Sequence, residues 1–245
     1  MNILITGASS GIGKQLTCDY LAAGHTVYVC GRNEEKLAAF RATLGSAEQE
    51  RFHPLVFDVT EQQQVQRALA KLTDIDLAIL NAGVCEYVDD VMNFDAALVE
   101  RVFAANFFGV VYCCEALVRV LRAGSRIAIV DSMARLIPFT RAEAYGASKA
   151  AVHYFAGSLR SDLRPHGIAV TTISPGFVET PMTDANDFEM PMRISVTKAS
   201  KAIQKGLQRG KPHIAFPRIF GLILATLHRL PYRLQIALSA RLRNQ

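Results

Sequence analysis

Short apolar runs alternate with longer amphipathic stretches along most of this chain. The runs are Asn2 to Thr6, His25 to Cys30, Leu55 to Phe57, Asp76 to Leu80, Arg126 to Val130, Ile168 to Ile173 and His213 to Phe216. Each is too short for a helix and rich in aliphatic residues, like strands buried on both faces of a parallel sheet. Helical patterns lie between them: Lys14 to Gly24, the polar stretch Glu61 to Leu72, about Asp95 to Leu121, and a helix carrying Tyr145 and Lys149. The alternation predicts an α/β fold, a doubly wound seven-stranded parallel sheet with helices on both faces. Ligands of such sheets bind beyond the C-terminal ends of the strands, so those ends are where chemistry is sought.

Composition narrows this picture. The 245 residues, half of them hydrophobic and 20% charged, suit one large globular domain. Cys18, Cys30, Cys85, Cys113 and Cys114 show no metal-ligand spacing, so no metal is expected. A reduced, cytoplasmic setting fits these thiols best. A strand at Asn2 to Thr6 leaves no room for a signal peptide, and no apolar run reaches the roughly 18 residues expected of a membrane span.

Charge is unevenly placed. Residues 1–189 carry 16 basic against 22 acidic residues, whereas 190–245 carry eleven basic residues and no acid. Beyond the seventh strand, and so beyond a domain expected at 1–217, comes a basic, apolar extension at 218–245. Its run Ile219 to Leu227 is too short to span a bilayer, and Pro231 separates it from a second helix bearing Leu234, Leu238 and Leu242. Two readings stand: packing on the domain or a neighbouring subunit, and peripheral contact with an anionic membrane. Nothing resembles a base-reading module, so nucleic acid is not an expected partner.

Three stretches carry candidate chemistry. Gly7, Gly11 and Gly13, with Ser9, Ser10 and Ile12 between them, form a glycine-rich turn after the first strand, where a helix N-terminus can hold a pyrophosphate. The second strand ends in Gly31 and Arg32, about where an acidic residue would bind the ribose hydroxyls of NAD. An arginine there can grip a 2′-phosphate, so NADP(H) is preferred over NAD(H). Asn33 caps the next helix, with Glu34 and Glu35 in its first turn. Ser132 then precedes Tyr145 by thirteen residues, and Lys149 follows one helical turn later. A nearby cation lowers a phenol from its ordinary pKa of about 10, and Ser132 can hold a carbonyl oxygen that Tyr145 protonates.

These motifs, together with Asp58-Val59, Asn81-Ala82-Gly83, Asn106 and Pro175-Gly176 with Thr180, resemble the short-chain dehydrogenase/reductase family over about residues 2–217. The resemblance implies a Rossmann-type fold and a catalytic tetrad of Asn106, Ser132, Tyr145 and Lys149. It implies Asp58 beside the adenine, Asn81 supporting the cofactor site, and Val178 and Thr180 at the nicotinamide carboxamide. Lys149 would also bind the nicotinamide ribose, and Asn106 would position a relay water. Asp131, before the catalytic serine, and Arg135, beside the substrate, depart from the family pattern. A substrate lid is expected at about 180–210.

The expected activity is NADP(H)-dependent interconversion of a small-molecule carbonyl and a secondary alcohol. Met182, Met190 and Met192 in the lid, with Ile137 and Phe139 after Ser132, favour a lipophilic substrate. A small hydroxy acid is the alternative that Arg135 would support. A non-catalytic NADPH sensor is a further alternative, although both Tyr145 and Lys149 are kept. The helix from about Asp95 is apolar on nearly every side, which predicts a homodimer or homotetramer.

Overall fold

The computed structural model describes residues 1–184, 186 and 188–242. Its strands are β1 Asn2–Thr6, β2 Thr26–Gly31, β3 Phe52–Val56, β4 Leu77–Leu80, β5 Arg126–Val130, β6 Ala169–Pro175 and β7 His213–Phe216. All pair in parallel in one seven-stranded sheet ordered β3-β2-β1-β4-β5-β6-β7. The order reverses at β1 and β4, which opens a crevice at their C-terminal ends.

Among the described residues the helices are α1 Gly11–Ala22, α2 Glu34–Ala42, α3 Ser46–Arg51, α4 Gln62–Leu69, α5 Ala96–Phe103 and α6 Gly109–Leu117. They continue with α7 Glu143–Leu163, α8 Pro181–Asp184, α9 Val196–Gln208, α10 Arg218–His228 and α11 Tyr232–Leu242. Successive strand residues point to opposite faces. Ile3 and Ile5 therefore share a core with Leu16 and Leu21 of α1, Leu37 of α2 and Ile203 of α9, while Leu4 belongs to the core of the other face with Val65 of α4, Cys113 of α6 and Val152 of α7. The doubly wound sheet is as expected. Asn33 caps α2 through its side-chain oxygen, which accepts the Lys36 N–H at 2.7 Å.

Three local features differ from the pattern reading. Strand β3 begins three residues earlier and includes Pro54, tolerable because β3 is an edge strand. Helix α3 gives no apolar periodicity, since none of its residues is buried. The long apolar helix is α5 and α6 joined through a π-turn at Ala104–Phe108. By length and composition Ala96–Leu117, 22 residues, suffices to cross a membrane, against the expectation that no run would. In this fold it is a layer helix, burying Val102, Val110, Cys113, Cys114 and Leu117.

The C-terminal extension folds back on the chain. Leu224 of α10 is buried with Met133 and Ile137, and Phe139 packs against the same cluster. His228 Nδ1 lies 2.6 Å from the Leu136 carbonyl. Arg243, the last positive charge counted above, lies outside the described residues.

Candidate active site

The glycine-rich turn is shaped by contacts that exclude side chains. Gly7 has φ +64°, and a Cβ on it would lie 2.8 Å from Ala82 Cα. A Cβ on Gly13 would sit 2.4 Å from the Gly7 carbonyl, so the first turn of α1 can press against the loop only with glycine there. Asn81 ties this turn to the end of β4: its Nδ2 donates to the carbonyls of Thr6 at 3.1 Å and Gly7 at 3.3 Å. The Thr6 hydroxyl in turn accepts the N–H groups of Asn81 and Ala82, both at 3.0 Å. Ser10 caps α1 without using its side chain, leaving the hydroxyl and the helix N-terminus directed to the cleft.

One cleft brings the expected residues together. Gly7, Ser9, Ser10, Gly11 and Ile12 line it at one end, with Arg32, Asp58, Val59 and the segment Asn81 to Gly83 alongside. Ser132, Tyr145, Lys149, Pro175, Gly176, Val178 and Thr180 line the remainder. Gly13 and Asn106 are not in the lining. Gly13 packs behind the turn, and Asn106 is wholly buried. Arg32 reaches the rim, its side chain 74% exposed and its Nη1 3.9 Å from the Asp58 carboxylate. So loose a pair leaves the guanidinium free to turn to an anion.

Asn106 works through backbone. In the π-turn its Oδ1 accepts the Val84 N–H at 2.8 Å, and its Nδ2 donates to the Val84 carbonyl at 2.9 Å and to Ser148 Oγ at 3.0 Å. Ser148 donates to the Tyr145 carbonyl at 2.8 Å. The Asn side chain thereby fastens the loop after β4 to the helix carrying Tyr145, and π-turns often mark such sites.

Ser132 hydrogen-bonds the Tyr145 hydroxyl. Lys149 Nζ donates to the Val130 carbonyl at 3.0 Å and lies 5.8 Å from the Tyr145 ring centroid. Burial pulls the Lys149 ammonium down to about 8, opposed by the negative charge of Asp131. The same burial pushes the Tyr145 phenol well above its ordinary value, with Ser132 alone acting to lower it. This corrects the expectation that Lys149 brings Tyr145 down. Desolvation of the buried phenol sets the direction, and the Lys149 ammonium gives its hydrogen bond to the Val130 carbonyl.

The two departures from the family pattern meet each other. Asp131 is buried at the end of β5, where it accepts from Ser174 Oγ, lies 2.6 Å from His153 Nδ1 and pairs with Arg135 Nε at 3.3 Å. Arg135 is therefore turned behind the strand end, and it does not line the cleft. Ile137 and Phe139, expected beside the substrate, face the tail instead. The segment at 180–210 divides: Met182 lines the cleft, whereas α9 packs on the sheet through Ala199, Ile203 and Leu207. Sequence reasoning missed Val84, which lines the cleft and whose N–H and carbonyl hold the Asn106 side chain. Its place just after Asn81-Ala82-Gly83 was the one available signal.

A family model described as short chain dehydrogenase matches residues 1–190. The chain belongs to the short-chain dehydrogenase/reductase family. It is 34% identical over 186 residues to a serine 3-dehydrogenase of Rhizobium radiobacter, covering 74% of this chain and 73% of that one. An uncharacterized oxidoreductase of Myxococcus xanthus is 31% identical over 246 residues, covering 98% of this chain and 96% of the relative. Among solved structures, a short chain dehydrogenase from Burkholderia cenocepacia in complex with NADP has 27% identity and a TM-score of 0.83, over 98% of this chain and 96% of that one. As a member of this family the protein is an oxidoreductase. The Myxococcus and Burkholderia likenesses extend through the C-terminal helices, whereas the family model stops at residue 190.

Proposed function

We propose that this short-chain dehydrogenase/reductase reduces a lipophilic ketone or aldehyde with NADPH, and that Ser132, Tyr145 and Lys149 do the proton chemistry. The observation that carries this is the cleft itself: a phosphate-binding turn at one end, and a serine–tyrosine pair with a buried lysine at the other. When bound, NADPH supplies the hydride. The turn from Gly7 to Gly13 would hold its pyrophosphate, Arg32 its 2′-phosphate and Lys149 its nicotinamide ribose, with Val178 and Thr180 at the carboxamide.

Tyr145 keeps its proton across the neutral range, because burial raises the phenol. It is thus loaded to donate to a carbonyl oxygen, while Ser132 hydrogen-bonds the developing alkoxide. Lys149, still mostly protonated near neutral pH, provides positive charge behind the phenol.

Apolar surface and paired charges support a lipophilic substrate. Next in sequence to the cleft residue Gly176, Phe177 meets Phe188 at 6.2 Å, Phe188 meets Tyr87 edge-on at 5.7 Å, and Met182 lines the cleft itself. The nearby arginines already hold carboxylates: Arg135 with Asp131, Arg141 with Asp89 and Arg193 with Asp184. A hydroxy acid is the second reading, favoured by the likeness to a serine 3-dehydrogenase. The five free thiols suit a reducing cytoplasm.

The decisive experiment follows NADPH oxidation against a panel of long-chain carbonyls and small polar ones, such as the semialdehydes of hydroxy acids. Turnover should favour the long-chain compounds and vanish in Tyr145→Phe. A clear preference for the small acids supports the second reading. NADPH binding with no turnover on any compound would leave a cofactor sensor and end the enzyme proposal.

A further inference from the structure

Helix α11 is built inside out. Among its described residues the buried ones are Gln235 and Ser239, one turn apart, and both are polar. Gln235 donates to the carbonyls of His228 and Leu230, each at 2.9 Å, and Ser239 donates to the carbonyl of Pro138. The apolar side chains face outward: Tyr232 is 69% exposed, Leu234 51%, Ile236 42% and Leu238 37%. Helix α10 buries Leu224 yet leaves Ile219 66%, Leu222 68% and Ile223 42% exposed, a stripe at helical spacing. A helix on a water-soluble domain ordinarily does the reverse, with its apolar stripe against the core. So much outward apolar surface on two neighbouring helices marks a site of interaction.

Charge selects the occupant. Arg218, Arg233 and Arg241 stand on the same two helices, Arg229 caps the end of α10, and no acidic residue follows Glu189. None of the four is ion-paired among the described residues. Two copies docked through this face would set arginine against arginine, because a two-fold contact brings a patch to its own image. A phosphate-bearing lipid surface offers apolar depth and negative charge together.

We propose that the outward face of α10 and α11 seats the protein on an anionic lipid surface, with the leucine and isoleucine side chains entering between headgroups and acyl chains while the arginines meet the phosphates. This goes beyond the carbonyl chemistry and does not depend on it. It also bears on substrate access. Phe220 of α10 lies 5.6 Å from the Phe177 ring and fits closely against Gly176 of the cleft, so a molecule dissolved in lipid would have a short path to the site.

The test is flotation of the full-length protein with vesicles of phosphatidylcholine, with or without a quarter phosphatidylglycerol, at low and high salt. Wild type should bind the anionic vesicles at least about tenfold more tightly than the neutral ones, and salt should weaken that binding. The triple variant Leu222→Gln, Leu234→Gln, Leu238→Gln should stay unbound while keeping its thermal melt, its mass by light scattering and its NADPH turnover. The chain has no tryptophan, so Leu238→Trp supplies a single reporter whose emission should shift to the blue on the anionic vesicles. The proposal is overturned if wild type fails to float at low salt, or if the triple variant floats like wild type. A fall in the triple variant's mass, with unshifted Leu238→Trp emission, would instead give the face to a second copy.

Discussion

Lys149 stands in its place at a cost. Only 4% exposed, it has been stripped of water, and its proton affinity falls from 10.5 to about 8. Below about pH 8 the folded and unfolded chains both hold this proton, so the whole cost, about 3 kcal/mol, weighs on the folded state. Between about 8 and 10.5 only the unfolded chain holds it, the cost shrinks as pH rises, and above 10.5 it is gone. Lys149→Met removes the charge together with one hydrogen bond worth about 1 kcal/mol. It should abolish turnover yet resist urea better than wild type at neutral pH, with the advantage lost by pH 10.5. Urea melts at the two pH values check this, and a difference that does not change with pH would remove burial as its cause. Arg32 is the opposite case, an exposed side chain proposed above to meet the 2′-phosphate. Arg32→Asp removes a charged hydrogen bond of about 1.5–3 kcal/mol, so the kcat/KM ratio of NADPH to NADH should fall roughly tenfold to hundredfold. A wild-type enzyme that prefers NADH would refute this role for Arg32.

At the scale of elements, the break between α5 and α6 positions the site. The π-turn Ala104–Phe108 places Asn106 where its amide meets both polar groups of Val84 and the Ser148 hydroxyl. Asn106→Ala would leave the N–H and carbonyl of Val84 without their side-chain partner, for a destabilisation of about 1–3 kcal/mol, while Ser148 keeps its bond to the Tyr145 carbonyl. The loop Asn81 to Val84 and helix α7 would lose their tie, so kcat should fall further than thermal stability alone explains. Thermal melts beside kcat at a temperature where the variant stays folded will separate the two effects. A variant as stable and active as wild type would show that the π-turn holds without its asparagine.

For the whole molecule, uncovered aromatic surface on one helical layer points to assembly. Tyr154 of α7 is 80% exposed and Phe108 is 46% exposed, while Phe107 packs edge-on with Phe155 at 6.0 Å between the two helices. Burying these rings against a second copy suits a two-fold contact through α5, α6 and α7. Wild type should therefore scatter light as a dimer or tetramer at micromolar concentration. Phe108→Glu with Tyr154→Glu should yield a folded monomer. A monomeric wild type would exclude the contact.

What could be read along the chain was local. Strands β1, β2, β4, β5, β6 and β7 announce themselves because a strand buried on both faces must be apolar at every position. Gly7 and Gly13, the Tyr145–Lys149 spacing and Arg32 after β2 likewise need only their neighbours to be recognised. Contacts between distant residues decided the rest. Asn106 interrupts an apolar helix for partners 22 and 42 positions away, Val84 and Ser148. Arg135 turns from the cleft because Asp131 is buried four residues before it, and Ile137 turns because α10 covers it. Spacing brings Lys149 near Tyr145, but burial sets their proton affinities, and it raises the phenol that the cation alone would have lowered. In α11 the leucines at four-residue spacing suggest which face is apolar. Only folding shows that Gln235 and Ser239 take the inner side, because backbone carbonyls at Pro138, His228 and Leu230 wait there for donors.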